Sequence, residues 1–252
     1  MEPLVRKFVV PIIARRGWKY VCEIGASRGA STDCLLRTLP DVSITVIDTC
    51  RDLDLKTKYA GEPRVMVCEA ESLAALPTLE GVFDSILIDG DHNWYTVYNE
   101  LQIIRERSLL RRGGMIFFHD VSWPYGRRDM YYQPDSIPAE YRHAYARKGM
   151  VPGESALSED AGFNSVLCNA THEGGPRNGV LTAIEDFLGE HRGEYQFFSL
   201  PEWFGLGILH ARHSFADDLR FLALDGYFSS KKFAREHFPS VYSLLARILL
   251  RT

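Results

Sequence analysis

Val21-Cys22-Glu23-Ile24-Gly25-Ala26-Ser27-Arg28-Gly29-Ala30-Ser31 is the stretch that decides the fold. Tyr20 to Ile24 is a short apolar run of strand type. Gly25 to Gly29 makes a turn, and Ser31 to Leu39 has helical spacing. A strand feeding a glycine turn that opens a helix is the start of a βαβ unit. Glycine lets the backbone approach a ligand closely, and the helix N-terminus offers free N–H groups. A dinucleotide fingerprint would read G-x-G-x-x-G, to seat a pyrophosphate. The pattern here is E-x-G-x-x-x-G. An acidic Glu23 beside the turn would repel a pyrophosphate and suits a ligand with an ammonium and a nearby sulfonium.

The same rhythm continues outward. Ser43 to Ile47 is β-branched and ends in Asp48. A carboxylate at the end of the second strand hydrogen-bonds ribose hydroxyls in nucleotide-binding folds of this kind. Arg64 to Cys68 is a third run, and Phe83 to Ile88 a fourth, ending in Asp89. Tyr95 to Leu110 reads as a long helix broken by Gly113-Gly114. Met115 to Phe118 follows as a fifth strand, ending in His119-Asp120. Near-continuous apolar strands separated by helices indicate a parallel sheet covered on both faces. The predicted class is α/β, a doubly wound Rossmann-like sheet with helices on both faces. Val180 to Leu188 reads as a helix. Tyr195 to Leu200 and Phe204 to Leu209 read as an antiparallel pair at the sheet edge. Residues 215–252 read as helices, with Pro239 marking a start. The chain is predicted to be one domain: 18–121 for the cofactor, 122–179 as a loop over the acceptor, 180–210 as edge strands, and the terminal helices.

Composition agrees. The chain has 252 residues, a net charge of −4, 46% hydrophobic and 25% charged residues, which is ordinary globular usage. The mildly acidic balance argues against nucleic acid as a partner. No stretch approaches the length of a membrane span. Residues 1–18 read as a short amphipathic helix, not a signal peptide. Five scattered cysteines without a C-x-x-C pair fit a reducing cytosol, hence a cytoplasmic location. The apolar stretch Val241 to Leu250 suits either a docked helix or a homo-oligomer interface.

With these residues in view, the chain resembles class I S-adenosylmethionine-dependent methyltransferases. More narrowly, it resembles the group containing macrocin O-methyltransferase and the cephalosporin-hydroxylase-like proteins. The matching residues are Glu23-Ile24-Gly25-x-x-x-Gly29-x-Ser31, Leu87-Ile88-Asp89-Gly90-Asp91-His92, and Gly113-Gly114-Met115-Ile116-Phe117-Phe118-His119-Asp120. The resemblance implies S-adenosylmethionine as cofactor. Glu23, Gly25, Ser27, Gly29 and Ser31 would hold its methionine part, Asp48 its ribose, Glu71 and Ser72 its adenine side, with Asp89 adjoining. It also implies an O-methyltransferase acting on a small hydroxylated acceptor, such as a deoxysugar of a natural product.

Asp89, Asp91, His92, His119 and Asp120 fall at the carboxyl ends of two predicted strands, where open α/β sheets bind ligands. Carboxylates and imidazole converging there suit Mg²⁺ or another divalent cation, which would lower the acceptor's pKa. By the resemblance the metal ligands are Asp89, His119 and Asp120. Imidazole at 119 leans the set toward a transition metal. His92 is placed for general-base work, with Asp91 and His119 beside it. Capping of the following helix is the plainer role for Asp91 and His92. Trp123, Tyr125, Arg127, Arg128, Tyr131 and Tyr132 follow at once and should hang over the site. Aromatic faces and paired guanidiniums suit a nucleotide sugar; a structural loop with solvated arginines is the alternative. Two other functions fit the same residues: a cephalosporin-hydroxylase-like oxygenase using His92, His119 and Asp89, or a non-catalytic nucleoside-binding protein.

Overall fold

The structure is a computed structural model and describes residues 1–159, 162–214, 216–218, 221, 223 and 224. Contacts divide the chain into a unit over Met1–Ala211 and a second over Arg212–Thr252. The helices expected over 215–252, with the Val241–Leu250 stretch, lie almost wholly outside the described residues. Every strand among the described residues belongs to the first unit.

The apolar runs are strands β1 (Tyr20–Ile24), β2 (Ser43–Asp48), β3 (Val65–Glu69), β4 (Phe83–Ile88) and β5 (Leu110–His119). All five pair in parallel, in the order β3-β2-β1-β4-β5. Between β5 and the last helix of the unit lies a small antiparallel sheet of β6 (Met130–Tyr131), β7 (Tyr145–Ala146) and β8 (Cys168–Ala170), ordered β6-β8-β7. The main sheet closes with β9 (Tyr195–Leu200) and β10 (Leu206–Ala211), giving β3-β2-β1-β4-β5-β10-β9. β10 runs antiparallel to both β5 and β9, so the expected antiparallel pair is present at the edge. β10 begins at Leu206, not Phe204, because Glu202–Phe204 forms a tight turn.

Helix α1 covers residues 2–16, with a π-helical turn at Val5–Val9 and a left-handed Gly17 cap at φ 63°. Its Val5, Phe8, Val9, Ile12 and Ile13 are buried, as the predicted amphipathic stripe requires. It packs on α2 (Ala30–Thr38). Two short helices follow, α3 (Leu55–Lys58) and α4 (Ser72–Ala75). On the other face α5 (Trp94–Glu106) and α6 (Val180–Glu190) cover Ile24, Ile86, Ile88, Ile116 and Phe118.

The boundary between α5 and β5 also differs from the sequence reading. Helix α5 ends at Glu106, and Gly113-Gly114 lies inside β5. The strand bulges there: Phe83 pairs with Leu110, but Ser85 pairs with Met115. The bulge wraps Asp84. Its carboxylate takes the Arg111 guanidinium at 2.6 Å and the Lys19 and Tyr20 amides at 2.7 and 2.9 Å. A Cβ at Gly114 would lie 2.7 Å from the Asp84 carbonyl oxygen. All five cysteines are free. Among the described residues, no helix is long and apolar enough to cross a membrane.

Candidate active site

Two adjoining cavities open at the carboxyl ends of β1, β2 and β4. The first, of 220 Å³, is lined by Ile24, Gly25, Ser27, Asp48, Glu71 and Ser72 among others. The second, of 380 Å³, is lined by Ser31, His92, His119, Asp120, Phe163 and Phe204 among others. Gly25, Ser27, Asp89 and Tyr132 belong to both walls, so the cavities meet at Asp89.

The first cavity is built by the β1 turn. Gly25 has φ 82°, and a Cβ there would stand 2.4 Å from backbone atoms of Asp89 and Gly90. Only glycine lets the β1 and β4 loops meet so closely. Asp48 ends β2 and accepts the Ser27 amide at 2.8 Å and the Cys50 amide at 2.7 Å. Its carboxylate is thereby fixed on the cavity wall. Glu71 pairs with Arg51 at 2.9 Å, and Ser72 opens α4. Thr49, Arg51, Asp52, Gln133 and Ser136 also line this cavity and were missed. The loop after Asp48 carried a signal in its alternating charges; Gln133 and Ser136 reach over from the insert and carried none.

Glu23 does not stand where the sequence put it. It is 2% exposed, lines neither cavity, and accepts the Thr32 hydroxyl at 2.5 Å. Burial pushes its carboxyl up to about 7, against the opposing Thr32 hydrogen bond. Its side chain alternates inward along β1, so it ties β1 to α2. Asp89 is the acidic group that the two cavities share. Gly29, at φ 78°, is packed by Tyr59, whose hydroxyl donates to its carbonyl at 3.1 Å.

The second cavity has a charged floor. His92 Nε2 meets Asp120 Oδ2 at 2.7 Å. His119 Nδ1 meets the same oxygen at 2.7 Å and Asp89 Oδ1 at 3.0 Å. His119 Nε2 donates to the Trp203 carbonyl at 3.0 Å. Burial depresses the His119 pKa, but hydrogen bonds and charge from Asp120 and Asp89 outweigh it and lift it to about 9. Burial likewise opposes ionisation of Asp120, and the two histidines overcome it, holding the carboxyl well below its usual range. Asp120 sits at φ 58°, a strained turn that brings its side chain back beside His119.

One ligand atom from each of Asp89, His92, His119 and Asp120 lies within 4.8 Å of all the others. Adjacent ligands about 2.1 Å from one ion stand about 3 Å apart. Three separations, of 2.7, 2.7 and 3.0 Å, lie near that, and His92 stands 3.8 Å from Asp89. Two imidazoles with two carboxylates form a donor set that suits a divalent transition metal. His92, expected as a base, is part of this cluster and lines the second cavity. Its Nε2 is taken by Asp120, and its Nδ1 is buried without a hydrogen-bond partner. Asp91 is half-buried, lines the first cavity and accepts the Thr96 hydroxyl at 3.1 Å, and burial raises its pKa.

The loop residues divide. Tyr132 lines both cavities. Tyr125 is buried with its ring 5.4 Å from His92 and its hydroxyl held by Asn164 at 2.7 Å. Trp123 packs on Tyr125, Met130 and Met150. Tyr131 is buried and donates to Asp129 at 2.9 Å. Neither arginine lines either of these two cavities. Arg127 makes a bidentate pair with Glu185 at 2.5 and 2.7 Å. Arg128 is 0% exposed and donates to the Ala170 and Ser155 carbonyls. Burial in the insert takes Arg128 away, and a partly exposed ion pair with Glu185 takes Arg127; side-chain charge alone reveals neither. Phe163, Asn164 and Phe204 line the second cavity and were missed. The Trp203-Phe204-Gly205 connector, two aromatics before a glycine, was the available signal.

Comparisons with known proteins fit this geometry. Residues 22–121 match the family model described as a methyltransferase domain. No curated protein sequence matches the chain. Among solved structures, the methyltransferase PaMTH1 of Podospora anserina, bound to SAH, is 18% identical. It aligns over 83% of this chain and 79% of its own, with a TM-score of 0.53. A Staphylococcus aureus protein provisionally assigned as a caffeoyl-CoA O-methyltransferase is 17% identical over 82% of this chain and 83% of its own, at a TM-score of 0.50. Cofactor-bound Rv0187 from MTB is 21% identical over 85% and 82%, at 0.50. Residues 22–121 are thus similar to a methyltransferase domain, and the α/β Rossmann-like fold is one shared with solved methyltransferases.

Proposed function

We propose that this protein transfers a methyl group from S-adenosylmethionine to a hydroxyl oxygen of a small molecule. The observation that carries the reading is the shared wall at Asp89, where a donor cavity meets an acceptor cavity. In it, Asp48 accepts hydrogen bonds from the ribose hydroxyls. Gly25 and Ser27 let the methionine part lie against the β1 turn, and Asp89 faces the developing exchange of charge. Asp89 also accepts the hydrogen bond of the acceptor hydroxyl, aims its oxygen at the methyl carbon, and takes the proton as the O–CH3 bond forms and the S–CH3 bond breaks to leave the neutral thioether. Tyr132 covers the junction and excludes water. Positioning of this kind supplies much of the rate of a methyl transfer.

Asp89, His92, His119 and Asp120 would hold a divalent cation. When bound, such an ion lowers the pKa of the acceptor hydroxyl. The histidine and carboxylate positions otherwise hold two protons, which an incoming metal would displace. The acceptor class favoured by the sequence resemblance is a deoxysugar of a natural product. It is supported by the Ile88-Asp89-Gly90-Asp91-His92 run and by the aromatic wall of the second cavity. With Arg127 and Arg128 turned away, a nucleotide-linked form has only the resemblance behind it.

Titration calorimetry tests the reading. Both S-adenosylmethionine and its demethylated product should bind the protein, and Asp48→Ala should weaken each at least tenfold. No binding of either, with or without Mg²⁺ and Mn²⁺, overturns it. Two imidazoles in the cluster also favour a second reading, an iron oxygenase. Stoichiometric iron in the purified protein, with no affinity for S-adenosylmethionine, would establish that one instead.

A further inference from the structure

Trp203 (φ 44°) and Phe204 (φ 69°) stand in succession in the left-handed backbone region, before Gly205 (φ 95°). That region crowds Cβ against the following carbonyl, and a bulky residue there is an outlier. On backbone grounds alone the turn would take glycine or asparagine. Such conformations persist only where the surroundings over-determine them, and they cluster at functional sites. Two hydrogen bonds hold this one: His119 Nε2 to the Trp203 carbonyl at 3.0 Å, and the Ser122 amide to the Phe204 carbonyl at 2.8 Å.

Hydrophobic burial does not explain the aromatics. Trp203 is 52% exposed and Phe204 39% exposed. Phe204 forms part of the acceptor-cavity wall. Its ring stands 5.5 Å from Phe163 and edge-on to His119 at 6.2 Å. Phe163 is itself half-exposed and continues inward to Trp123 at 5.9 Å. A strained turn thus keeps an aromatic face open to water beside the His–Asp floor. Contiguous exposed apolar surface at a cavity mouth marks a ligand surface.

We propose that Phe204 is a specificity-determining residue of this site: with Phe163 it forms a stacking wall that selects an acceptor whose hydroxyl is carried on a ring with an apolar face. The proposal rests on the methyl-transfer reading for the identity of the second cavity. Stacked there, the ring directs its hydroxyl to the floor, where Asp89 faces the donor cavity. An arene and a 6-deoxysugar both offer such a face, and aromatic side chains stack on either.

Three probes separate these cases by saturation-transfer NMR and calorimetry, with and without the demethylated cofactor product: 2-naphthol, methyl α-L-rhamnoside and acyclic butane-1,2-diol. At least one ring probe should bind tenfold or more tightly than the diol, and which one does so tells arene from sugar. Phe204→Gly should weaken that probe at least fivefold, leave affinity for the demethylated product within twofold, and raise the melting temperature by relieving the turn. The proposal is overturned if no ring probe exceeds the diol, if Phe204→Gly binds the ring probe unchanged, or if that variant melts lower. Failure of the wild-type protein to bind the demethylated product counts against the methyl-transfer reading alone, since the ring probes are also read without it.

Discussion

Gly25 shows how one missing side chain makes a binding site. Its φ of 82° and the 2.4 Å approach of Gly90 leave no volume for a methyl group. Gly25→Ala must push the β1 and β4 loops apart, and overpacking with a left-handed alanine costs about 3 kcal/mol or more. Urea unfolding should show that loss, and calorimetry should show S-adenosylmethionine affinity falling at least tenfold. Unchanged stability would mean that the two loops are not locked together. Much of the site was legible at this scale. Asp48, Asp89, His119 and Asp120 each end an apolar run, so their place at the sheet's carboxyl edge followed from the strand reading. What was not legible was direction. Glu23 has the strand neighbours of a ligand-facing acid, yet period-two alternation turns it into the core beside Thr32. Arg127 and Arg128 look like an anion grip by type, yet one pairs with Glu185 and the other caps carbonyls inside the insert.

At the scale of elements, the insert is positioned by one buried acid. Asp129 Oδ1 accepts the Trp94 amide at 2.7 Å and the Gly179 amide at 2.7 Å, and Oδ2 accepts the Tyr131 hydroxyl at 2.9 Å. It therefore ties the start of α5 to the start of α6 and both to β6. Removing it would orphan three buried donors. Asp129→Ala should cost about 3–5 kcal/mol, from three orphaned donors at about 1–3 kcal/mol each with some relaxation. Denaturant unfolding checks the figure; a loss under about 1 kcal/mol would show that water replaces the carboxylate. None of this was readable beforehand, because β6, β7 and β8 are two or three residues long, too short for periodicity to register. β1 and β4 match their predicted spans because continuous apolar runs stop at glycine or aspartate. β5 was read short because its first half is Leu110-Arg111-Arg112-Gly113-Gly114, whose polar bulge obeys Asp84 and not a pattern of its own.

For the molecule as a whole, buried acids set the pH dependence of stability. Burial lifts Glu23 from 4.5 to about 7 and Glu100 from 4.5 to about 8. A carboxyl raised on folding binds more protons in the folded state than in the unfolded one. Stability therefore falls as pH rises, starting near the unfolded value of 4.5 and ending above 7 for Glu23 and above 8 for Glu100. His119, whose pKa its two carboxylate partners raise to about 9 against the pull of burial, acts with the same sign. Its contribution is complete below 6.5 and is lost as pH passes through 9. Asp120, held below its usual range, acts oppositely and only in acid, where its contribution is lost. The metal-free protein should thus be most stable near pH 4.5–5 and weaken steadily to pH 9, with Glu23 accounting for about 3 kcal/mol of the fall. Urea unfolding in chelator across this range measures the slope. Glu23→Gln keeps an acceptor for Thr32 but cannot ionise, so its curve should be flatter by that amount between pH 4.5 and 7. A wild-type curve that rises over the same interval would show that these acids are already ionised in the folded protein. Polarity at the strand ends, not a core carboxyl, would then govern the response.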